Sequence, residues 1–485
     1  MDKPNTNKQR KLTGIDVQAA IDNIQHEIDQ DTKLSSGLKS AIQLLIVIIK
    51  LLSDRWGLNS TNSSKPPSSD PHRMKPTRQP TNRKVGGQPG HEGKTLTLVD
   101  NPDEVLPVSI DRSTLPKGRY FEAEAEVRQV FDIRIARHVT EYRAQVLVDE
   151  DGRRFTATFP DHVTSPVQYG VGLKAHAVYL SQFQLLPYER IRTYFSDQAG
   201  IPLSAGSLVR FNQQAARQLA DLQITEQIKQ ALRSASVVNV DETSLNIAGQ
   251  RHWLHVAANT QWTDYHVHPR RGFEAMEEAD VIPHVRGTLC HDHWKSYYRY
   301  WLCVHALCNA HHQRELERAW EQDKYQWAKD LKAWLIALKN ETDIHQGVLP
   351  EARQAACSID YRAILDRADI ECPAPVDDRS KNKRKGKLKR SKSRNLIERL
   401  RRYENDVLRF MTATDIPYTN NLGEQDLRMM KVQQKISGCF RSLAGAEAFC
   451  AIRGFLSTCR KQGVSPSDGI SLILRGEKPD FLKLG

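Results

Sequence analysis

VVNVDETSLN (residues 237–246) places two adjacent acids, Asp241 and Glu242, directly after an apolar segment. The three valines are β-branched, and a run of this kind is typical of a buried strand. A carboxylate is costly to bury unless a partner compensates its charge. The stretch therefore predicts a strand that carries Asp241 at its end, and the partner of this acid has to come from elsewhere in the chain.

The residues that follow predict a mixed sheet with a second acid. The predicted elements are strands at 253–257 and 265–267, a helix at 273–281, a strand at 287–291, a helix, a strand at 301–307 and a helix at 309–320. Asp292 lies just past the fourth of these strands. If the first and fourth strands are neighbours, the carboxylates of Asp241 and Asp292 converge. Glu242 should face away from Asp241, because adjacent side chains of a strand point to opposite faces.

Two convergent carboxylates without a resident base are typical of a divalent metal site, since Mg²⁺ prefers carboxylate oxygens together with water and substrate phosphates. Two such ions, about 4 Å apart, serve phosphoryl transfer and usually need a third acid. TNNLGEQDLR (419–428) supplies a candidate in Glu424, near the start of a helix that Asn420 or Asn421 can cap. The alternative is a surface helix in which Glu424 pairs with Arg428.

Composition favours a large, multidomain protein with a polyanionic partner. The chain has 485 residues and a formal net charge of +12, which is too long for one ordinary domain. Ten basic residues and no acid lie between residues 379 and 394, among them Lys383, Arg384 and Lys385. This run should make non-specific contacts with nucleic-acid phosphates that weaken steeply with salt.

The cysteines and the apolar segments indicate a cytoplasmic protein. The 8 cysteines offer no disulfide framework, and none precedes Cys290. The polar N-terminal residues lack the apolar centre of a signal peptide. The longest apolar run, residues 44–49, is far too short to span a bilayer.

Changes in composition and periodicity divide the chain into seven segments. These are 1–57, helical; 58–96, a basic Pro/Ser/Gly linker; 97–165, a small β-rich module with a hairpin; 166–235, helical; 236–320, the first part of an α/β core; 321–412, a helical insertion with the basic loop; and 413–485, the C-terminal helices of the core.

Three of these segments leave alternatives open. Apolar residues of the first segment recur at heptad spacing, which suits either a short coiled coil or a helix packed on its own domain; they are Leu38, Ile42, Leu45, Ile49 and Leu52. The linker is either a solvated tether or, through residues 83–87 and Lys94, a minor-groove contact. Residues 187–211 have a helix, a break at 199–202 and a helix capped by Ser204 or Ser207, as in a helix-turn-helix or a generic helical hairpin.

Several motifs together resemble one protein family. They are NSSKPPSSD (62–70), GGQPGHEGKTL (86–96), LLPYERI (185–191), VDET (240–243), HDHWKSY (291–297), TNNLGEQDLR (419–428) and the tail KISGCFRSLAGAEAFCAIRGFLSTCRKQGVSP (435–466). With these motifs in this order, the sequence resembles a DDE transposase of the insertion sequence 66 family from about residue 58 to the end.

The resemblance implies an α/β fold with an RNase H-like catalytic core. It also implies a triad of Asp241, Asp292 and Glu424 that holds Mg²⁺ or Mn²⁺, with two ions expected. The implied partners are DNA, as terminal inverted repeats and as target, a homodimer or larger assembly, and accessory proteins encoded by the same element. The implied location is the bacterial nucleoid, without a membrane. Family members often carry a Cys-rich zinc module before the core, but residues 97–160 contain no cysteine, so zinc is not expected there.

Further polar residues have two interpretations each. Cys303, Cys308 and His311 suit structural zinc or a plain core, and His291 and His293 suit phosphate contact or packing. Basic residues near the triad suit a DNA-binding face or a solvated surface; the candidate DNA contacts are Arg428, Lys431, Lys435, Arg441, Lys295 and Arg190, with Lys383, Arg384 and Lys385 of the basic run.

The expected activity is strand cleavage at the ends of a mobile element, followed by transfer of the freed 3′-hydroxyl groups into target DNA. One alternative is a metal-dependent nuclease with the same core that does not join strands. A second alternative is a DNA-binding protein with an inactive core.

Overall fold

The structure is a computed structural model that describes residues 11–12, 15–31, 34–56, 58–59, 61–63, 95–133, 135–375 and 390–483. Lys383, Arg384 and Lys385 lie outside these residues, as do residues 83–87 and Lys94. The chain forms two compact units. The first consists of Met1–Arg73, Phe159–Thr193 and Leu203–Gly485, and the second of Met74–Thr158 and Tyr194–Pro202.

The N-terminal part of the first unit is a helical hairpin. Two short antiparallel strands, β1 (Lys11–Leu12) and β2 (Ile15–Asp16), precede the helices α1 (Val17–Gln30) and α2 (Ser36–Trp56). Ile21, Ile28 and Ile46 are buried between the two helices. The predicted heptad lies on α2, and four of its five side chains are exposed. Of this seam, the hairpin uses only Ile42 for its own packing, against the cluster of Ile21, Ile28 and Ile46.

The second unit contains the predicted hairpin but little other β structure. Strands β3 (Val146–Val148) and β4 (Arg154–Thr156) pair in antiparallel register. Gly152 adopts a φ of +78° in the turn between them. Within the described residues 95–133 and 135–158, no side chain is buried and no other strand is present. The prediction of a β-rich module therefore holds only for the hairpin.

Four helices precede the sheet. They are α3 (Val171–Val178), which continues into a π-helical turn at Tyr179–Phe183, α4 (Tyr188–Ala199), α5 (Ala205–Asp221) and α6 (Ile224–Arg233). Of the two serines predicted as caps, Ser204 caps α5, because its hydroxyl accepts a hydrogen bond of 3.0 Å from the Ser207 amide. One face of α5 is buried through Leu208, Phe211 and Leu219.

A five-stranded mixed sheet forms the centre of the first unit. Its elements are β5 (Val237–Ile247), β6 (Gln250–Ala258), β7 (Thr263–His268), the helix α7 (Phe273–Ala279), β8 (Thr288–His291) and β9 (Val304–Leu307). The strand order is β7-β6-β5-β8-β9. Strands β5, β6 and β7 form an antiparallel meander, whereas β8 and β9 run parallel to β5. The predicted adjacency of the first and fourth strands is confirmed.

Three details of the predicted sheet are wrong. β5 continues to Ile247, so Asp241 lies within the strand rather than at its end. The segment after Asp292 forms a 3₁₀ turn at Tyr297–Arg299 instead of a helix. β9 begins only at Val304, and the Trp301 side chain before it is 81% exposed.

The remaining helices build two cores around the sheet. They are α8 (Asn309–Glu321), α9 (Gln326–Ile344), α10 (Glu351–Glu371), α11 (Lys392–Arg402), α12 (Glu404–Leu408), α13 (Asn421–Ser437), α14 (Leu443–Lys461) and α15 (Pro466–Leu474). Helices α8 to α12 enclose a core around Trp327 and Tyr361. Helices α13 and α14 cover the meander, with Leu427 and Phe449 packed against it. Within the described residues, no helix has the length and apolar character needed to cross a membrane.

Candidate active site

The register of β5 and β8 brings the first two acids to neighbouring positions. Asn239 pairs with Cys290 in the parallel ladder. Asp241 and Asp292 lie two residues further along the two strands, just past this pair, and the charge of Asp292 acts on the carboxyl group of Asp241. β8 ends at His291, so Asp241 lies where β5 has lost its parallel neighbour but is still paired with β6. At Asp241, the side of β5 that faced β8 is therefore no longer covered by a neighbouring strand.

Asn420 fixes the start of α13 against β5. Its side-chain Oδ1 accepts a hydrogen bond from Asn239 Nδ2 at 2.9 Å, and its Nδ2 donates to the Val240 carbonyl at 2.8 Å. Its backbone amide donates to Cys308 Sγ at 3.1 Å. Asn420 occupies the N-cap position as predicted, but its side chain does not cap the helix. Glu424, in the first turn of α13, is thereby held close to the strand that carries Asp241.

The three acids influence one another electrostatically. Burial raises the pKa of Asp241 well above its ordinary value, and the charges of Glu242, Asp292 and Glu424 raise it further. Such crowding of carboxylates disfavours the ionised forms unless a cation neutralises them. The donor set of three carboxylates fits a divalent ion with oxygen ligands, such as Mg²⁺.

Glu242 has two polar partners of its own. Its side chain is 1% exposed and pairs with the Arg271 guanidinium at 2.5 Å. The Tyr297 hydroxyl donates to its other carboxylate oxygen at 2.5 Å. The Arg271 guanidinium also lies over the rings of Trp294, at 4.3 Å, and Trp253, at 5.0 Å. Glu242 forms the salt bridge expected from the sequence, but burial and the charge of Asp292 raise its pKa, so it is not electrostatically separate from the other acids.

Glu424 meets a cysteine and a histidine that sequence analysis had not connected with it. Cys308, His311 and Glu424 are, within the part of the chain that the structure describes, the one set of three potential ligands whose atoms lie within 4.8 Å of one another. His311 Nδ1 is 4.0 Å from Glu424 Oε1. Both atoms are shielded from solvent and have no hydrogen-bond partner. Asp241 and Asp292 are not part of this tight cluster.

Comparison with known proteins places this site within a family. Residues 166–448, more than half of the chain, match the transposase IS66 family. The chain belongs to the IS66 transposase family. The resemblance noted from the sequence motifs is thus confirmed, and membership of this family implies interaction with DNA.

Two other matches concern parts of this IS66-family chain. Residues 1–97 match a family of unknown function, DUF6444. A segment of 70 residues is 37% identical to a protein of Sinorhizobium fredii (strain NBRC 101917 / NGR234) named uncharacterized protein y4jO. The matched segment is 14% of this chain and 22% of that protein.

The histidines beside Asp292 in the IS66-family chain are packed rather than exposed. His291 has no exposed surface, and its Nε2 lies 2.9 Å from Nδ1 of His305. Burial lowers the pKa of His291 to about 3. The His293 ring packs edge-on against Tyr403 with 4.5 Å between ring centroids, and burial lowers its pKa to about 4. Of the two interpretations left open for His291, the structure therefore favours packing.

In the IS66-family chain, the structure supports neither Cys303 as a ligand beside Cys308 nor an ion pair between Glu424 and Arg428. The Cys303 thiol donates to the Tyr300 carbonyl at 3.2 Å and is not part of the cluster around Cys308. Among the described residues, Glu424 has its nearest basic partner in His311 and forms no ion pair with Arg428. The group of potential ligands therefore contains Glu424 together with Cys308 and His311, and not Cys303.

Most of the predicted DNA-binding side chains of the IS66-family chain are free to reach a ligand. The exposed ones within the described residues are Arg190, Lys295, Arg428, Lys435 and Arg441. Lys431 is also on the surface, but its ammonium donates to the Ser244 carbonyl at 2.9 Å, and partial burial lowers its pKa. Lys431 therefore ties α13 to β5 in addition to any contact with DNA.

Sequence reasoning missed Arg271, Tyr297 and the contact between Asn239 and Asn420. Tyr297 belongs to HDHWKSY, so the motif itself could have indicated it. Arg271 lies in the connection after β7 and has no local signal that distinguishes it from its neighbour Arg270. Its role depends on the side chains that the sheet brings around it.

Proposed function

We propose that this chain is a metal-dependent DNA transposase with an RNase H-like core. It cleaves one DNA strand at each end of its element and joins the freed 3′-hydroxyl to target DNA. The observation that supports this most is the register of β5 and β8, which aligns Asp241 with Asp292 in a sheet of three antiparallel strands followed by two parallel ones. Membership in the IS66 family supports the same assignment.

The acids have separate tasks in this proposal. Asp241 and Asp292 hold Mg²⁺ or Mn²⁺, and Glu424 completes the ligand set. When bound, two such ions lower the pKa of the attacking water or hydroxyl and stabilise the leaving oxygen. Glu424 accepts the proton of the nucleophile at Oε1, an atom without a hydrogen-bond partner. Asn420 orients Glu424 by fixing the start of α13.

The pair of the buried Glu242 and the partly exposed Arg271 keeps the strand geometry constant while DNA binds. Glu242 is held by Tyr297 and Arg271, and the two tryptophans around Arg271 restrict the guanidinium to one position. Because Glu242 follows Asp241 directly, this anchoring fixes the backbone of the catalytic strand. A fixed arrangement of charges needs little reorganisation during the reaction.

DNA reaches the acids along a basic surface. Arg428 and Lys435 lie on α13 beyond Glu424, Arg441 follows the same helix, and Lys295 follows Asp292. Arg190 and the run with Lys383, Arg384 and Lys385 add phosphate contacts that require no particular sequence. Binding should therefore weaken steeply as the salt concentration rises.

The proposed assembly contains at least two copies of the chain, because two DNA ends have to be held together. The exposed seam of α2 is the proposed contact between copies. Accessory proteins of the same element are further proposed partners, and the bacterial nucleoid is the proposed location.

A strand-transfer assay with oligonucleotides that carry the element ends, with Mg²⁺ present, tests the proposal. The wild-type chain should give cleaved and joined products. Asp241→Asn should lose both while its affinity for DNA is kept, because the substitution preserves shape and removes the metal-binding charge. Asp415→Asn, at an exposed acid before α13, is the matched control and should retain both products.

Other outcomes would identify the alternatives. Cleavage without joined product would replace the transposase proposal with a nuclease. Equal behaviour of wild type and Asp241→Asn in every assay would indicate a DNA-binding protein whose core is inactive.

A further inference from the structure

Cys308, His311 and Glu424 meet where two helices begin. Cys308 directly follows β9 and occupies the N-cap position of α8, and His311 lies in the first turn of the same helix. Glu424 lies in the first turn of α13. The hydrogen bond from the Asn420 amide to Cys308 Sγ joins the two helix starts. The three side chains are therefore positioned by the sheet and two helices rather than by loops.

The distances suit a tetrahedral metal ion. The ligand atoms all lie within 4.8 Å of one another, and His311 Nδ1 and Glu424 Oε1 are 4.0 Å apart. Tetrahedral zinc with ordinary bond lengths separates its ligand atoms by roughly 3.4–3.7 Å. Small side-chain rotations close this difference. A metal would also satisfy both His311 Nδ1 and Glu424 Oε1, which are shielded from solvent without any hydrogen bond.

We propose that Cys308, His311 and Glu424 bind a zinc-class transition metal at a site distinct from the Asp241–Asp292 pair. A thiolate and an imidazole select zinc-like ions, whereas Mg²⁺ takes oxygen ligands. Three protein ligands leave a fourth position for water. Zinc binding breaks the S–H bond of Cys308, forms a zinc–sulfur bond and releases the proton to solvent.

This site regulates the cleavage reaction, a consequence that rests on the proposed function. Glu424 belongs both to the zinc ligands and to the proposed catalytic triad. Its carboxylate, held by zinc beside His311, is withdrawn from the ions at Asp241 and Asp292. Zinc should therefore inhibit Mg²⁺-dependent cleavage, and removal of zinc with a chelator should restore it.

Cobalt binding tests the site without any requirement for catalysis. Co²⁺ is titrated into the full chain carrying Cys439→Ser, because Cys439 is an exposed thiol outside the site. The proposal predicts one thiolate-bound Co²⁺ per chain, seen as a thiolate-to-cobalt charge-transfer absorption that Zn²⁺ abolishes by displacement. Cys308→Ser should remove the absorption, and His311→Ala or Glu424→Gln should weaken Co²⁺ binding by roughly tenfold or more.

Two variants are matched controls. Cys303→Ser removes a buried thiol whose neighbour His305 lies 4.0 Å away, and it should keep the absorption. Asp241→Asn should also keep it, since this acid is not a ligand of the zinc-class site. No charge-transfer absorption in the parent chain, or an undiminished one in Cys308→Ser, would overturn the proposal. His311→Ala, at a partly exposed residue, decides the question if Cys308→Ser fails to fold.

A separate experiment measures the inhibition of DNA cleavage by zinc. Zinc should slow Mg²⁺-dependent cleavage by the parent chain, and the ratio of rates with and without zinc should approach one in His311→Ala. Unchanged cleavage at saturating zinc would overturn the regulatory part. If the chain binds cobalt at this site but never cleaves DNA, the proposed function is wrong and the proposed metal site still holds.

Discussion

Asn420 shows how neutral side chains can position a charged site. Its amide group is 2% exposed and bridges Asn239 and the Val240 carbonyl, one residue before Asp241. An ion pair in this place would compete with a metal for the acids. An amide supplies one acceptor and two donors without adding charge. The distance between β5 and Glu424 is thus fixed without any change in the electrostatics of the site.

Asn420→Ala should destabilise the protein and reduce cleavage. The substitution leaves Asn239 Nδ2 and the Val240 carbonyl buried without this partner, and the free energy of unfolding should fall by about 1–3 kcal/mol. Urea denaturation measures the stability, and the cleavage assay measures the activity at a concentration of denaturant where the variant is folded.

The control for this variant is Asn421→Ala, which changes the exposed neighbouring asparagine. Its free energy of unfolding should stay within about 0.5 kcal/mol of the wild-type value. Equal effects of the two substitutions would contradict the role of Asn420 as the link between β5 and α13.

The buried carboxyl group of Asp264 should make the free energy of unfolding depend on pH, independently of the metal site. This residue of β7 is 6% exposed, and burial raises its pKa from the ordinary value of 3.8 to about 6. Its protonated form contributes stability that is fully present below the unfolded pKa and is lost as pH rises through about 6. Asp264→Asn should therefore gain stability relative to wild type between pH 4.5 and pH 7.5, by roughly 2 kcal/mol.

Urea denaturation at the two pH values checks this expectation. Asp221→Asn, at an exposed acid at the end of α5, should show no such change in its difference from wild type. A constant difference between Asp264→Asn and wild type would mean that the Asp264 carboxyl is not desolvated in solution.

At the residue scale, the sequence was informative where chemistry alone restricts the choice. Asp241, Asp292 and Glu424 could be nominated because acids beside strands and helix starts are typical of metal sites. The proximity of His311 to Glu424 could not, because the two residues are far apart in the chain. It follows from the packing of α8 beside α13, which no local pattern encodes.

At the element scale, the close approach of β5 and β8 depends on a glycine. A Cβ atom at Gly287 would lie 2.5 Å from the carbonyl oxygen of Ala235 and closer still to that of Ser236. The Ser236 carbonyl accepts a hydrogen bond of 2.7 Å from the Thr288 amide, at the point where the two strands enter the sheet. The alignment of Asp241 with Asp292 therefore begins at this contact.

Gly287→Ala should separate the two strands. Since the obstructing atoms belong to the backbone, no side chain can move aside, and we expect a loss of at least about 3 kcal/mol in the free energy of unfolding. Cleavage should be lost even under conditions where the variant is folded, because the register of the acids depends on this pairing. Urea denaturation and the cleavage assay measure the two effects.

Gly172→Ala is the control, because a Cβ atom there meets nothing within 4 Å and the residue lies within α3. This substitution should leave stability unchanged or raise it by about 0.5–1 kcal/mol. Wild-type stability in Gly287→Ala would contradict the proposed contact between the two strand starts.

The position of Asp241 within β5 illustrates why boundaries were harder to predict than elements. β5 and β6 are joined by Ala248 and Gly249, which both have positive φ values, of 50° and 82°. A two-residue turn of this kind matches the twist of a hairpin, and it extends pairing as far as Ile247 opposite Gln250. Alanine is an unusual residue at such a position, so the turn and the length of β5 were not evident from the sequence.

At the scale of the whole molecule, the N-terminal hairpin has an apolar surface that the described residues leave largely uncovered. Ile46 faces α1, whereas the seam side chains are largely exposed; their exposed fractions are 50% for Leu38, 57% for Leu45, 42% for Ile49 and 57% for Leu52. The heptad spacing was predictable from the sequence. Whether the seam faced its own domain was not, because both arrangements give the same periodicity.

Leu45→Glu combined with Ile49→Glu should convert the proposed dimer into a monomer. Two carboxylates in the seam of each copy would have to be buried against those of the other, which opposes association. The contact of Ile46 with α1 is untouched, so the helical content should remain. Light scattering coupled to size-exclusion chromatography measures the mass, and circular dichroism measures the helicity.

The control is Gln43→Glu, at an exposed position outside the seam, which should remain dimeric. A wild-type chain that is monomeric at high concentration, or a double variant that still dimerises, would show that the two copies meet through another surface.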